Sequence, residues 1–292
     1  MILVTGATGL NGGLVVRRLS EKGIPVRALV REPDTRNATK ADVLRSLPGV
    51  TVVAGDLAHP ASLADALDGV DKTVLISSSD AAMADSQSAF VDAAKAASVG
   101  HIVKLSGIMP ELDSDFRFAR MHGQIEKHLE ESGVAFTHLR AGEFMQAYFR
   151  QIPNIVARGA ILLPMEDARI ASIDANDVAV VTVDILTSPG HEGKIYPLTG
   201  PEALTMAEVA ERLSTATGIP IRYANVAPED AKAAQRAAGF PDYLVDGLGE
   251  LFAERRNGKE STVSTVIPDV FGWQPTSFLE FATRNAAAFR GE

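Results

Sequence analysis

Met1-Ile2-Leu3-Val4-Thr5-Gly6-Ala7-Thr8-Gly9-Leu10-Asn11-Gly12-Gly13 opens the chain. The apolar run Ile2-Leu3-Val4, the glycine turn and the amphipathic Leu14, Val15 and Leu19 predict strand, tight turn and helix, the order of a dinucleotide site. Gly6 lets the backbone turn, Gly9 allows close approach to a pyrophosphate, and Gly12 lets helix and strand pack tightly. The unpaired N–H groups and positive dipole end of the helix then face the phosphates, with Thr8, Leu10 and Asn11 as further contacts to the cofactor. The spacing is Gly-x-x-Gly-x-x-Gly, not the commoner Gly-x-Gly-x-x-Gly. Alone it reads equally as a turn without a ligand; the flanking strand and helix favour the site.

Working outward, the helix closes at Lys22-Gly23, a cation and a glycine as a helix end prefers. Pro25 to Val30 is a second strand, and it delivers Arg31. An acidic residue about twenty positions past the glycine turn would bind the adenosine ribose of NAD, whereas an arginine there suits the 2′-phosphate of NADP. NADP(H) is therefore expected over NAD(H). Arg36 and Lys40 add charge but read equally well as a surface loop. Val50 to Ala54 is a third strand, followed by Gly55-Asp56-Leu57, and residues just past a strand's carboxyl end line the ligand crevice of an open parallel sheet. Asp56 and Leu57 are candidates to border the adenine, although Asp56 equally suits a local turn or cap.

Thr73 to Ile76 ends in Ser77-Ser78-Ser79, again at the crevice: Ser77 and Ser78 are assigned to the cofactor and Ser79 to the substrate. A helix over Met83 to Ser98, a strand over His101 to Leu105 running into Ser106-Gly107, a helix over Phe118 to Glu131 and a strand over Val134 to Leu139 complete the alternation. Such alternation means an α/β fold, a Rossmann doubly wound parallel sheet. The sixth strand brings Gly142, Glu143 and Phe144 to the same edge as substrate candidates.

Beyond it the pattern loosens around Pro153, Gly159 and Pro164, with a helix expected over Phe144 to Ala157. Ile170 to Ile173, a helix over Asn176 to Leu186 and Lys194 to Leu198 look like a return to the main sheet. Further helices are expected over Thr205 to Thr217, Glu229 to Ala238 and Tyr243 to Arg256, with a short strand at Ile221 to Ala224. Residues 1–142, with 170–200 returning, are thus read as the nucleotide-binding domain, and 143–292 mainly as a small C-terminal α/β substrate lobe.

At 292 residues, 46% hydrophobic and 22% charged, the chain has an ordinary globular composition. A formal charge of -9 and the lack of a Lys/Arg run argue against nucleic acid. The absence of cysteine excludes disulfides, thiol nucleophiles and thiolate metal sites, and the six histidines show no metal spacing, so no metal is expected. With a strand starting at Ile2 and no apolar run long enough to span a bilayer, the expectation is a cytoplasmic protein without a targeting peptide or membrane partner. A homodimer is left open.

Val4-Thr5-Gly6-Ala7-Thr8-Gly9 with Gly12, Val26 to Arg31, Gly55-Asp56-Leu57, Thr137-His138-Leu139-Arg140, Ile173-Asp174, Asp177-Val178-Ala179, Leu198-Thr199-Gly200-Pro201 and Gly272-Trp273-Gln274-Pro275 occur in this order. In that combination the chain resembles, over nearly its whole length, the NmrA-like branch of the atypical short-chain dehydrogenase/reductases, which includes quinone, azo-dye and triphenylmethane-dye reductases. The resemblance implies nicotinamide-cofactor binding at the glycine turn and Arg31.

The family's serine with Tyr-x-x-x-Lys does not carry over cleanly. The corresponding helix reads Phe118-Ala119-Arg120-Met121-His122, and phenylalanine cannot donate a proton. His122 falls where the lysine would sit, as in several dye and quinone reductases of this branch, and is read as able to supply a proton or bind the cofactor ribose; Ser106 takes the place of the family serine. Both are also explicable without chemistry, as a helix histidine and an ordinary Ser-Gly turn.

Hydride addition to an unactivated ketone builds a strongly basic alkoxide that needs an acid beside it; a quinone yields a delocalised phenolate and a cationic dye simply becomes neutral, so positioning and electrostatics could suffice. The implied function is an NADPH-dependent oxidoreductase passing hydride to a quinone-like or conjugated small-molecule acceptor. The alternative is a redox sensor that binds the cofactor and regulates a partner protein; an epimerase or ketoreductase is weaker, since both want the tyrosine that Phe118 replaces.

Overall fold

In the computed structural model, residues 1–31 and 35–292 are described, residues 35–37 by backbone alone. The first half alternates strand and helix: β1 (Ile2–Val4), α1 (Leu10–Glu21), β2 (Val26–Val30), α2 (Thr35–Arg45), β3 (Val50–Ala54), α3 (Ala64–Leu67), β4 (Lys72–Leu75), α4 (Met83–Ala96), β5 (His101–Gly107), α5 (Arg117–Ser132) and β6 (Ala135–Ala141). There follow α6 (Ile152–Arg158), β7 (Ala160–Leu163), α7 (Ala175–Thr187), β8 (Lys194–Leu198), α8 (Met206–Thr217), β9 (Arg222–Asn225), α9 (Pro228–Ala237), α10 (Asp242–Arg256), α11 (Phe278–Arg284) and α12 (Ala286–Arg290).

Seven strands form one sheet in the order β3-β2-β1-β4-β5-β6-β8. The pairs around β1 are parallel, with Ile2 opposite Val26 on one side and Lys72 on the other, and β4 runs parallel to β5 with Leu75 opposite Lys104. Strand order reverses between β1 and β4, which is where ligands bind in doubly wound sheets. Thr5 knits this point: its hydroxyl donates to the Ile76 carbonyl at 2.7 Å and accepts from the Ile76 amide at 2.8 Å. The ladder is thereby carried past the end of β1 by a side chain.

The chain divides into two compact units, Met1–Asp113 with Phe118–Arg140 and Val178–Tyr196, and Ser114–Arg117 with Ala141–Asp177 and Pro197–Glu292. In the first, Leu3, Leu75 and Ile102 from the sheet pack with Leu67, Phe90, Val91 and Leu129 from the helices, all buried. In the second, β7 and β9 form a two-stranded parallel sheet with Ala160 opposite Arg222. Its core gathers Tyr148, Leu213, Phe252, Phe278, Phe281 and Phe289. Capping boxes at Thr205/Glu208 and Ser277/Glu280 start α8 and α11, each satisfying backbone donors that a helix start leaves orphaned. Among the described residues no helix is long and apolar enough to cross a membrane.

Four local expectations are corrected. Ile170 to Ile173 is no strand: it makes only isolated bridges, Ile170 with Leu204 and Ile173 with Phe144, its buried apolar residues filling the second unit's interior. The helix expected over Phe144 to Ala157 splits into a 3-10 turn, Met145–Gln151, and α6, with Pro153 at the start of α6 where its missing N–H costs nothing. Gly159, at φ 58°, ends α6 and leaves Ala160-Ile161-Leu162-Leu163 free to form β7, in the stretch before Pro164 where only irregular connections are expected. Residues 35–45, weighed as a loop, are helical.

Phe281 touches the second unit's aromatic cluster from several sides, with ring centroids 5.6 Å from Phe149, 5.9 Å from Phe278 and 6.2 Å from Phe289. Phe281→Ala is expected to cost about 3–5 kcal/mol in urea unfolding monitored by circular dichroism. A loss below about 1 kcal/mol would contradict this packing.

Candidate functional site

The glycine turn is built by close contact. Gly6 has φ +59°, and a Cβ there would lie 2.9 Å from the Ile76 carbonyl oxygen. A Cβ on Gly12 would lie 2.4 Å from the Gly6 oxygen and 2.7 Å from the Gly6 carbonyl carbon. Only hydrogen fits at either position, so α1 starts flush on the turn. Gly9 is the N-cap of α1 and supplies no side-chain cap, which leaves the first-turn amides for another acceptor. Asn11 Oδ1 is buried without a hydrogen-bond partner, a polar atom that calls for a ligand.

Around this turn lies a cleft of about 450 Å³. It gathers Gly6, Thr8, Gly9, Leu10, Asn11 and Gly12 from the turn, Arg31 and Lys40 from the β2 side, Asp56 and Leu57 after β3, and Ser77 and Ser78 after β4. The cofactor-binding residues expected from sequence thus meet in one place, with the exception of His122. The side chain of Arg36 lies outside the described residues. Asp56 borders the cleft and also serves a local turn, its carboxylate accepting from the Ala58 amide at 3.0 Å. Ser77 is held by Gln87, whose Nε2 donates to Ser77 Oγ at 2.8 Å. The residues present fit an NAD(P)-type cofactor: a glycine cradle, free amides for a pyrophosphate and cations near the adenosine side.

His122 and Ser106 belong to a second cluster, on β5, α5 and β6. Its centre is Lys104, which the sequence reading passed over. Lys104 is fully buried; its Nζ donates to Ser106 Oγ at 3.1 Å and to His122 Nδ1 at 2.9 Å. Glu126 is held by Arg140, whose Nη2 donates to Oε2 at 2.6 Å. Burial alone would raise the Glu126 carboxyl, but hydrogen bonds from Arg140 and Ser106 outweigh it and hold the pKa below the usual range. Burial, reinforced by the Lys104 charge, holds His122 well below an ordinary imidazole, so the ring is neutral at pH 7. Because Nδ1 faces a donor, the ring hydrogen is assigned to Nε2. The Cδ2–Nε2 edge lies beside Gly107, where a Cβ would approach Cδ2 to 3.1 Å and Nε2 to 3.6 Å. Phe118, one turn before His122, is buried and offers no proton.

The remaining candidates do not join these groups. Ser79 is exposed and absent from the residues that line the cleft. Gly142, Glu143 and Phe144 belong to the second unit. There the Gly142 amide donates to the Leu198 carbonyl at 2.9 Å, and Phe144 precedes the 3-10 turn. Glu143 accepts from buried Arg255 at 2.8 Å, an ion pair that Glu260 shares at 2.6 Å. His138 stacks on Phe136 at 4.6 Å, and its Nε2 lies 3.1 Å from Glu130. Glu126, Glu130 and His138 come within 4.8 Å of one another, a grouping that sequence spacing did not reveal, yet Arg140 already neutralises Glu126.

The model of the NmrA-like family matches residues 1–282. The chain is 40% identical over 289 residues to an NAD(P)H azoreductase of Xenophilus azovorans, covering 99% of both. Among solved structures, it is similar to an NADPH-dependent quinone oxidoreductase of Escherichia coli complexed with NADPH, at 32% identity and TM-score 0.86, covering 97% of this chain and 99% of that one. It is also similar to the Citrobacter sp. triphenylmethane reductase complexed with NADP(H), at 28% identity and TM-score 0.85, covering 98% and 100%.

Gly12→Ala forces a methyl group against the Gly6 carbonyl. The expected result is at least a roughly tenfold rise in the Kd for NADPH by calorimetric titration; affinity within about twofold of the unaltered protein would contradict the cradle.

Proposed function

The chain belongs to the NmrA-like family, and on that premise we propose that it draws on NADPH in preference to NADH to reduce quinone-like, azo or triarylmethane acceptors. It is an NAD(P)H-dependent oxidoreductase. The observation that carries the reading is the cleft itself, which a glycine turn with open amides, Asn11 and the cations Arg31 and Lys40 line together.

The bound cofactor supplies a hydride, and the protein's task is to hold it and the acceptor in place. In this reading the α1 amides hold the pyrophosphate end, and Asn11, whose open Oδ1 is an acceptor, takes a hydrogen bond from a cofactor hydroxyl. Arg31 and Lys40 hold the 2′-phosphate, and Asp56 and Leu57 border the adenine. Ser77 and Ser78 line the way toward the end of β5, where Ser106 and His122 stand. With Phe118 unable to donate, His122 Nε2–H is the hydrogen-bond donor for charge that develops on the acceptor. Acceptors that delocalise this charge, or that are cationic at the outset, suit such a site better than a simple ketone does. Glu143, Phe144 and Gly142 are assigned to the acceptor side, in the second unit, which is proposed as the substrate lobe.

Two measurements test this. Loss of NADPH absorbance with a panel of quinones and triarylmethane dyes is expected to show turnover, with simple ketones at least about a hundredfold slower. Tight NADPH binding without turnover of any acceptor would leave only the sensor reading. For the cofactor, Arg31→Ala should weaken NADPH roughly tenfold or more while moving NADH far less, since a charge-assisted bond to the 2′-phosphate is what is lost. An unchanged ratio of the two affinities in fluorescence titration would refute the 2′-phosphate role.

A further inference from the structure

Lys104 is an unusual residue for the middle of a central strand. It sits in an apolar run, opposite Leu75 of β4, with no exposed surface. An ammonium in such a place costs several kcal/mol unless it is paired. Yet among the described residues no carboxylate oxygen lies within ion-pair distance of its Nζ; its partners are a hydroxyl and a neutral imidazole. The groups that face it are Ser106 on its own strand, His122 and Glu126 on α5, and His138 and Arg140 on β6.

We propose that Lys104 is the proton reservoir of the reductase, loading and reloading His122 through the Nζ–H···Nδ1 bond. The inference rests on the reductase reading and names how its protons are supplied. When a quinone takes a hydride, two electrons and one hydrogen nucleus arrive, and an anionic oxygen remains to be protonated. The His122 Nε2–H bond breaks as the acceptor O–H bond forms, while a Lys104 Nζ–H bond breaks and Nδ1–H forms. His122 ends as neutral as it began, with its tautomer reversed, and Lys104 is left a neutral amine. Uptake of a proton from water at Nε2 and return of the Nδ1 proton to Nζ restore both.

The other neighbours cannot serve. Glu126 is held ionised by Arg140 and has no proton to give at pH 7. Arg140, a guanidinium, does not release one. Burial holds His138 down to about 4, so it is neutral, and its Nε2 faces Glu130. Lys104 alone is tuned for transfer: burial pushes it down to about 7, with the Glu126 charge opposing and Arg140 adding to the effect. Ser106 holds the ammonium in line and passes its own hydrogen toward Glu126.

A quinone needs this proton, whereas a cationic triarylmethane dye becomes neutral on taking hydride and needs none. The unaltered protein, with saturating NADPH, should therefore show a quinone kcat that falls about tenfold between about pH 6 and pH 8, as protonated Lys104 is lost. Its dye kcat should stay nearly level over that range. Lys104→Met should lower the ratio of quinone to dye turnover at least about tenfold at pH 6 and remove the pH limb. Should that variant not fold, the pH comparison on the unaltered protein decides. A quinone kcat that is level across this range, or equal losses on both acceptors in the variant, would overturn the proposal and leave the reductase reading standing. Turnover of neither acceptor by the unaltered protein would overturn the reading beneath it.

Discussion

The contact on which the first compact unit depends is the one between Gly12 and the carbonyl of Gly6. With 2.4 Å between that oxygen and a would-be Cβ, the first turn of α1 sits against the end of β1 as closely as a polypeptide allows. This fixes where the helix amides point, and so where an anion can be held. It also places the turn beside Ile76, which Thr5 ties to the same point with paired hydrogen bonds. Strand order reverses here, so the cleft opens at the one place where the two halves of the sheet diverge. Arg31, Asp56 and Ser77 reach it because β2, β3 and β4 all end on that edge.

Chemistry follows from what this edge lacks as much as from what it holds. In the proposed function Phe118 removes the hydroxyl that a reductase of simple ketones would use, and His122, kept neutral by burial and by Lys104, gives up its Nε2 proton only as Lys104 replaces it at Nδ1. A site of this kind rewards acceptors that carry their own electron sink. The buried Lys104–His122 pair then decides which of them are reduced quickly, because it matters only when the product must take up a proton.

The residues that line the cleft were legible in sequence because their signal is local. Glycines at Gly6, Gly9 and Gly12, and the residues one or two places past each strand, need only the strand-turn-helix order to be placed together. Lys104 was harder, since its meaning lies in partners from another element, His122 being eighteen positions away. A lysine breaking an apolar strand, two residues before Ser106 and so on the same face, was the available signal. Ile170 to Ile173 misled for a related reason. Apolar β-branched residues read as a strand, yet burial inside the second unit leaves them only single bridges. Glu143 was legible as a polar residue past a strand end, but its ion pair with Arg255, over a hundred residues away, was not.

The central claim is that the protein passes hydride directly from a nicotinamide held in this cleft to an acceptor. Reduction of a cationic triarylmethane dye with NADPH dideuterated at C4 tests it most directly, because the new C–H bond does not exchange with water. Mass spectrometry of the leuco dye should show a single deuterium at the central carbon. Leuco dye formed without the label would contradict the account.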